Sequence, residues 1–462
     1  MRVCLISTYE LGRQPFAVAS AARWLADAGA EVTCIDLSVD RLDELPVRQA
    51  RLIAIYLPMH TATRLAVSIL PKIKEMSNGA HLAFYGLYAT ANKVLLRELG
   101  GETILSGEVE PCLVRVYRQL EHGDSIALGD EVRLAKQRFR LPKRDGLPEL
   151  GRYATLDMRN GQQRIVGYTE ATRGCKHVCR HCPVVPVYQG RFFVVDRDVV
   201  LADVRQQVSA GAEHVTFGDP DFFNGPGHAM RLVEAFHSEF PELSYDVTIK
   251  VEHLLTHRDK LHRLVETGCL FVTTAVEEID DAVLARLEKG HTRCDFVEVI
   301  EATRTAGLTL SPTFIPFHPW TTPSGFLDLL SFVAEHGLID NVAPVQLSIR
   351  LLVPKGSRIM ELDEMATYLD GFDVEKLSYA WTPADPTADR LQARVREAVQ
   401  TGHRVGLVRR EVFRALWEIA HESAGLTTPL LPTSGAHARP VPVVSEPWYC
   451  CAEPTEDQLA QA

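Results

Sequence analysis

The chain has 462 residues, with 49 lysines and arginines against 60 aspartates and glutamates, for a formal net charge of −11. Its hydrophobic content of 46% and charged content of 24% are ordinary globular values, and its length allows two or three domains with their own cores. The acidic balance excludes a general nucleic-acid-binding surface, no stretch approaches the ~20 apolar residues of a membrane span, and ten cysteines are too few for a disulfide scaffold. The opening Met1-Arg-Val-Cys-Leu-Ile-Ser7 is too short an apolar run for a signal peptide. A cytoplasmic location, with reduced cysteines and no membrane or nucleic-acid partner, is therefore expected.

Residues 1 to about 125 alternate between strand and helix patterns. Apolar runs at 3–7, 31–36, 52–57, 81–86 and 103–108 read as buried strands, with helices over 17–28 and 62–76 between them. That alternation predicts a parallel, doubly wound sheet with right-handed crossovers. Residues 126–165 are charged and irregular, and Leu141-Pro-Lys-Arg-Asp-Gly-Leu-Pro148 marks a linker. A second α/β series over 166–385 offers strands at 168–172, 214–217, 244–249, 271–276, 309–314 and 345–352, with helices including 281–287 and 325–336. Six such units predict a partial (β/α)6 barrel, whose working groups lie at the C-terminal ends of its strands. Residues 386–462 read as a C-terminal extension, with helices over 389–399 and 409–423 and a Pro-rich tail from Pro429 to Pro454.

After the first barrel strand comes Glu170-Ala-Thr-Arg-Gly-Cys-Lys-His-Val-Cys-Arg-His-Cys-Pro183, which places Cys175, Cys179 and Cys182 at Cys-x3-Cys-x2-Cys spacing. Three close thiolates on one loop can hold three corners of a [4Fe–4S] cluster, leaving one iron open. A zinc site would want a fourth protein ligand, for which His177 or His181 is at hand, but no second CxxC follows. The spacing, after a short apolar and Thr-rich run, resembles the radical S-adenosylmethionine (SAM) superfamily. The resemblance implies that the open iron chelates SAM and that an electron from the cluster breaks a carbon–sulfur bond. A reductant protein such as flavodoxin or ferredoxin is then the expected partner.

The barrel further resembles the radical SAM subgroup that carries an N-terminal cobalamin-binding-type domain. Phe217-Gly-Asp-Pro-Asp-Phe-Phe-Asn224 is similar to that subgroup's second-strand motif. Val276-Glu-Glu-Ile-Asp-Asp281 with Leu287-Glu-Lys-Gly-His-Thr292 is similar to its fourth-strand segment. The resemblance implies cofactor-binding roles for Asp219, for Glu277 near the SAM ribose, and for Ser348 and Arg350, the last pairing with the SAM carboxylate. Gln346, Ser348 and Arg350 alternate, so on a strand they would share one face. Without the resemblance, Glu277 and Arg350 read as structural ion pairs or solvated charges.

In the N-terminal domain, Leu105-Ser-Gly-Glu-Val-Glu-Pro111 is similar to the closing segment of cobalamin-binding folds. Tyr85-Gly-Leu-Tyr-Ala-Thr90 stands where such folds carry a Gly-Gly-x-x-Ala-Thr loop. This makes cobalamin a candidate cofactor. The Asp-x-His-x-x-Gly motif that supplies an axial histidine is absent, and Ser7-Thr-Tyr-Glu-Leu-Gly12 replaces it, which excludes histidine ligation only. A domain with the fold and no corrinoid is the alternative, and Gly86, Thr90 and Gly107 are then turn residues.

Cys4 and Cys34 lie in apolar strands and read as core, while Cys112, Cys269 and Cys294 show no spacing logic. Cys450 and Cys451 are adjacent in a tail bounded by Pro447 and Pro454 and flanked by Trp448-Tyr449. Neighbouring thiols can chelate one soft atom. Cys450-Cys-Ala-Glu-Pro454 resembles the radical SAM proteins that end in this pentapeptide or its selenocysteine version. That group is similar to the carbon–arsenic bond-forming enzymes of arsinothricin biosynthesis. The resemblance implies transfer of the 3-amino-3-carboxypropyl group of SAM to trivalent arsenic held by Cys450 and Cys451, a small metalloid substrate. Two alternatives stand beside it: a cobalamin-dependent radical methyltransferase acting on an unactivated carbon, and a non-catalytic thiol protein that sequesters metals.

Overall fold

The computed structural model describes residues 1–126, 130–432 and 441–446. The tail cysteines Cys450 and Cys451, with Pro447, Trp448, Tyr449 and Pro454, lie outside the described residues. The N-terminal strands are β1 (Arg2–Ser7), β2 (Glu31–Asp36), β3 (Leu52–Tyr56), β4 (His81–Tyr85), β5 (Thr103–Gly107) and β6 (Asp130–Arg133). They form one parallel sheet in the order β2-β1-β3-β4-β5-β6. Helices Phe16–Asp27 and Glu110–His122 pack on one face, and His60–Met76 on the other. Both faces are covered, which is why the central strands β1, β3 and β4 are largely apolar. The order reverses between β1 and β3, so the crevice for a ligand opens at the C-terminal ends of those strands.

Strand β6 belongs to the stretch expected to be a linker, and so that expectation is corrected. Gly107 admits it: φ is +79°, and a Cβ there would lie 2.2 Å from the Arg133 carbonyl oxygen. The same stretch is anchored further on. The buried Arg144 guanidinium donates two 2.7 Å bonds to Asp203 of the barrel and one of 2.6 Å to Gln14 of the N-terminal domain. Residues 130–165 thus join the two domains as packed structure rather than as a tether.

The second sheet contains β7 (Thr155–Asp157), β8 (Gln163–Thr169), β11 (His214–Phe217), β12 (Ser244–Thr248), β13 (Cys269–Glu277), β14 (Thr309–Phe314) and β17 (Val443–Val444). Strands β8, β11, β12, β13 and β14 are parallel, while β7 and β17 add an antiparallel edge. A separate two-stranded ribbon pairs β9 (Thr172–Gly174) with β10 (Phe192–Val194). Another pairs β15 (Leu369–Asp373) with β16 (Ser378–Trp381).

The sixth barrel strand expected over 345–352 does not form. Pro344–Ser348 is a 3₁₀ turn, closed by Ser348 Oγ donating to the Val345 carbonyl. Only then does the chain meet β14's extension, through two backbone bonds to Phe317. The barrel therefore has five regular parallel strands and a vestigial sixth. The C-terminal helices Thr387–Val405 and Arg409–Ser423 are not an appended extension, because Leu391, Val395, Phe413 and Leu416 are buried in the barrel core. Among the described residues, no helix is long and apolar enough to cross a membrane.

Candidate functional site

The cysteine loop begins where β8 ends, at the rim on which barrels place their chemistry. Ribbon β9–β10 ties its base. Gly174, just before Cys175, has φ +79°, and a Cβ would lie 2.4 Å from the Tyr188 ring and 2.5 Å from the Arg191 carbonyl oxygen. Only glycine can take that turn without strain. Asn224 then brackets Cys175: its amide donates to the Gly174 carbonyl (3.1 Å), and its oxygen accepts from the Lys176 N–H (3.1 Å). Asp219 accepts from the Ala171 N–H (3.0 Å) and the Thr172 hydroxyl (2.5 Å). The far side is held by the Arg180 N–H on the Leu287 carbonyl and by Ser357 on the Arg180 carbonyl.

This frame buries Cys175 and Cys179 and leaves Cys182 half-buried. Burial, reinforced by the charge of Cys179, pushes the Cys175 thiol up to about 11 and the Cys182 thiol up to about 12. Lys250 opposes the rise at Cys175, and Lys289 opposes it at Cys182. Both lysines are buried, at 7% and 2% exposure. Three crowded, desolvated sulfurs favour a cation among them over three free thiolates. The donor set fits an iron–sulfur centre.

Glu277 ends β13 beside this loop. Its carboxylate lies 3.3 Å from Lys289 Nζ and 3.2 Å from His181 Nε2. Burial alone would raise the carboxyl, but Lys289 and His181 outweigh it and hold it down to about 2. The residue has φ +71° at a register shift against β14. A non-glycine residue there costs about 1–3 kcal/mol, and such strain gathers at functional sites.

Further into the mouth, buried polar atoms lack hydrogen-bond partners among the described residues. They include His181 Nδ1, Thr274 Oγ1, both ring nitrogens of His291 and His318 Nδ1. Native proteins seldom leave such atoms unmet, and together they fit a polar ligand such as SAM over the cysteine loop. Beneath it, Asp221 lies 3.1 Å from His177 Nε2 and 2.6 Å from His253 Nδ1, so strand-two and strand-three residues reach the loop together.

The sequence-predicted residues therefore divide. Asp219 and Glu277 join the cysteines, Asp219 through the loop's backbone. Ser348 and Arg350 do not share a strand face, because Ser348 lies in the 3₁₀ turn. The Arg350 guanidinium pairs with Asp389, donates to the Trp381 carbonyl (2.6 Å) and stacks on the Trp381 ring at 3.6 Å. None of these partners belongs to the cysteine loop. Sequence reasoning misses these roles for Asn224, Lys250, Lys289, His181 and His291, although all but Lys250 sit inside the quoted motifs.

The Gly-Glu-x-Glu segment faces the same loop from the other domain. Glu110 accepts from Arg173 (2.6 Å), Ser20 (2.7 Å) and Gln137 (2.9 Å). Glu108 accepts from Gln137 (2.8 Å) and from the Tyr188 hydroxyl (3.1 Å). Leu87, Thr90 and Ala91 line a cavity with His181, Cys182 and Pro183 of about 170 Å³. Sites for cofactor-sized ligands run to about 300–1,000 Å³. As it stands, this cavity is too small for a corrinoid.

Residues 169–333 match the family model described as the Radical SAM superfamily. The ribosomal protein uS12 methylthiotransferase RimO of Porphyromonas gingivalis is 26% identical over 186 residues, covering 37% of this chain and 42% of that protein. The tRNA-2-methylthio-N(6)-dimethylallyladenosine synthase of Polynucleobacter necessarius is 28% identical over 214 residues, 41% of this chain and 44% of the relative. The chain thus spans less than half the length of these curated relatives. Among solved structures, the radical SAM methyltransferase TsrM from Kitasatospora setae, with tryptophan and a SAM analogue bound, superposes with a TM-score of 0.62 at 17% identity, covering 79% of this chain and 76% of its own. The cobalamin-dependent SAM radical enzyme OxsB, with aqua-cobalamin bound, superposes at 0.68 and 12% identity over 92% of this chain and 74% of its own. At these identities the superpositions establish a shared fold, which takes in the N-terminal domain as well as the barrel.

Proposed function

We propose, from the radical SAM domain that residues 169–333 form, that this chain is a transferase acting on SAM in a reducing cytoplasm. The observation that carries the reading is the loop of Cys175, Cys179 and Cys182, held in place by Gly174 and Asn224. When bound, a [4Fe–4S] cluster supplies the electron that breaks a carbon–sulfur bond of SAM at its open iron. The protein's own part is placement. The three cysteines are the ligands, and Asn224 and Asp219 fix their backbone. Glu277, kept ionised by Lys289, offers an acceptor to the SAM ribose hydroxyls, and Lys250 offers a cation to its carboxylate. Arg350 and Ser348 brace the 344–350 turn against the C-terminal helices.

The transferred group follows from the tail. Val443–Val444 pairs with β7, and the Tyr9 hydroxyl donates to Glu446 Oε1 (3.0 Å). Tyr9 lies just beyond β1, at the crevice between the domains. Cys450 follows four residues later, a span of at most about 14 Å of extended chain. Cys450 and Cys451 are soft donors suited to trivalent arsenic, and the substrate in this reading is arsenite. One electron frees the 3-amino-3-carboxypropyl radical from SAM and leaves methylthioadenosine. The radical bonds to arsenic, and a second electron from the reductant with one proton expels an arsenite hydroxyl as water, so that arsenic stays trivalent. Anaerobically reconstituted protein given reductant, SAM and arsenite should release methylthioadenosine, and Cys450→Ser with Cys451→Ser should stop the arsenical product while keeping the cluster iron. Release of 5′-deoxyadenosine alone, or unchanged product from the double variant, would sink the arsenic reading.

A second reading, a cobalamin-dependent methyltransferase, is favoured by the shared architecture with TsrM and OxsB. It requires stoichiometric corrinoid to survive desalting after reconstitution with hydroxocobalamin.

A further inference from the structure

A groove of about 820 Å³ lies behind the cysteine loop, where residues 138–141 of the interdomain segment meet the start of helix Arg197–Ser209. Four arginines line it, Arg138, Arg140, Arg197 and Arg231, against two aspartates, Asp196 and Asp198. This is the reverse of the whole chain, with its 49 basic and 60 acidic residues. Arg140 is pre-set, its guanidinium 3.9 Å above the Trp24 ring and bonded to Asp27 at 2.8 Å. Arg138 and Arg231 are exposed and have no ion-pair partner among the described residues. They are cations held ready for something outside the chain.

The groove floor connects to the metal ligands by short routes. His228, on the groove wall, lies close to the backbone of Ala171, four residues before Cys175. Phe139 lies under the Arg173 guanidinium at 5.0 Å, two residues before Cys175. Asp196 closely follows β10, the strand paired with β9, which ends at Gly174. Electron transfer weakens steeply with distance, so a donor gains from docking over covalent and hydrogen-bonded paths of this kind.

We infer that this groove is the docking face for an acidic one-electron carrier protein, whose electron passes to the cluster through the backbone leading into Cys175. The inference rests on the reductive reading above, since only that chemistry needs a donor. The carrier loses one electron and the cluster gains it, and no proton or group is transferred. A compact acidic protein suits the patch better than a nucleic acid. A long polyanion would have to continue past Asp196 and Asp198 onto a surface that is acidic overall.

The test uses reconstituted holoprotein and an acidic flavodoxin. Binding of oxidised flavodoxin is titrated at low and at physiological salt, and bleaching of the cluster absorbance by reduced flavodoxin is timed by stopped flow. Arg138→Glu with Arg231→Glu should weaken binding and slow bleaching by about tenfold or more at low salt, and should remove most of the salt dependence. Iron content and bleaching by dithionite should stay unchanged. Arg414→Glu, an exposed charge reversal on helix Arg409–Ser423, should leave both flavodoxin measurements as they were. Equal binding and bleaching rates in the double variant overturn the inference. If dithionite fails to bleach the cluster of the unsubstituted protein, the reductive reading itself falls and takes this inference with it.

Discussion

On the N-terminal side of the cysteine loop one guanidinium, Arg173, faces three carboxylates, Glu108, Glu110 and Glu170. On the barrel side, Lys289 and His181 face the single carboxylate of Glu277. The two groups answer burial differently. Burial and the neighbouring carboxylates push Glu108 and Glu170 up to about 7 despite Arg173. Glu110 stays low, because Arg173, Gln137 and Ser20 outweigh the burial that would raise it. Glu277, with no competing carboxylate among its main influences, is held down to about 2. An excess of acid over base thus makes the domain interface titratable near neutrality, while a matched pair keeps the cofactor side charged throughout the working range.

The comparison breaks first if the loop gripped by both groups is not the metal centre. Cys175→Ala, Cys179→Ala and Cys182→Ala should each lose most cluster iron and all SAM cleavage, whereas Cys269→Ala and Cys294→Ala should lose neither. Iron analysis and chromatography of the nucleosides decide it.

Removing the cation on each side sharpens the contrast. Lys289→Met strands the buried Glu277 carboxylate with only His181 beside it, and it should cost about 3–5 kcal/mol at pH 8. Arg173→Met should cost a similar amount at pH 8 but clearly less at pH 6, where Glu108 and Glu170 take up protons. Denaturant midpoints at the two pH values measure this, and equal costs for Arg173→Met at both would refute the titratable interface.

Asn224→Ala removes both clamps around Cys175 and should cost about 1–3 kcal/mol. Its fuller effect should appear as faster loss of iron to a chelator. Cluster release at the parent rate would show that Asn224 does not set the loop.

The smallest effect is in the pH dependence of stability. A carboxyl raised from 4.5 to about 7 contributes stability that is complete below 4.5 and is lost as the pH rises through 7. Glu277 runs the other way, its contribution present above 4.5 and lost as the pH falls toward 2. Glu108→Gln should therefore flatten the decline in stability between pH 5 and pH 8 by on the order of 1–2 kcal/mol, whereas Glu277→Gln should leave that slope alone. Thermal melts across the range would register a parent-like slope in Glu108→Gln as failure.

How much of this was legible in the sequence differs from element to element. The apolar strands of the N-terminal sheet and β11 to β14 declared themselves, because a strand buried on both faces must be apolar along its whole length. The cysteine loop was visible because its three thiols are neighbours in the chain. Residues 126–165 and 345–352 misled for opposite reasons. In the first, a charged, Pro-bearing stretch hides β6 and Arg144, whose partners Gln14 and Asp203 are distant in sequence. In the second, an apolar run with alternating polar residues looks like a strand, yet Pro344 and the Ser348 hydroxyl turn it into a 3₁₀ coil and send Arg350 to Asp389. The sequence alone determined the alternating architecture and the cysteine triad of the candidate metal centre, since both depend on local period and spacing. Only the tertiary structure decided that Glu108 and Glu110 serve the cysteine loop through Arg173, and that Lys289 rather than Arg350 is the cation beside the cysteines. A charge's partner is set by what packs beside it, and no local pattern records that.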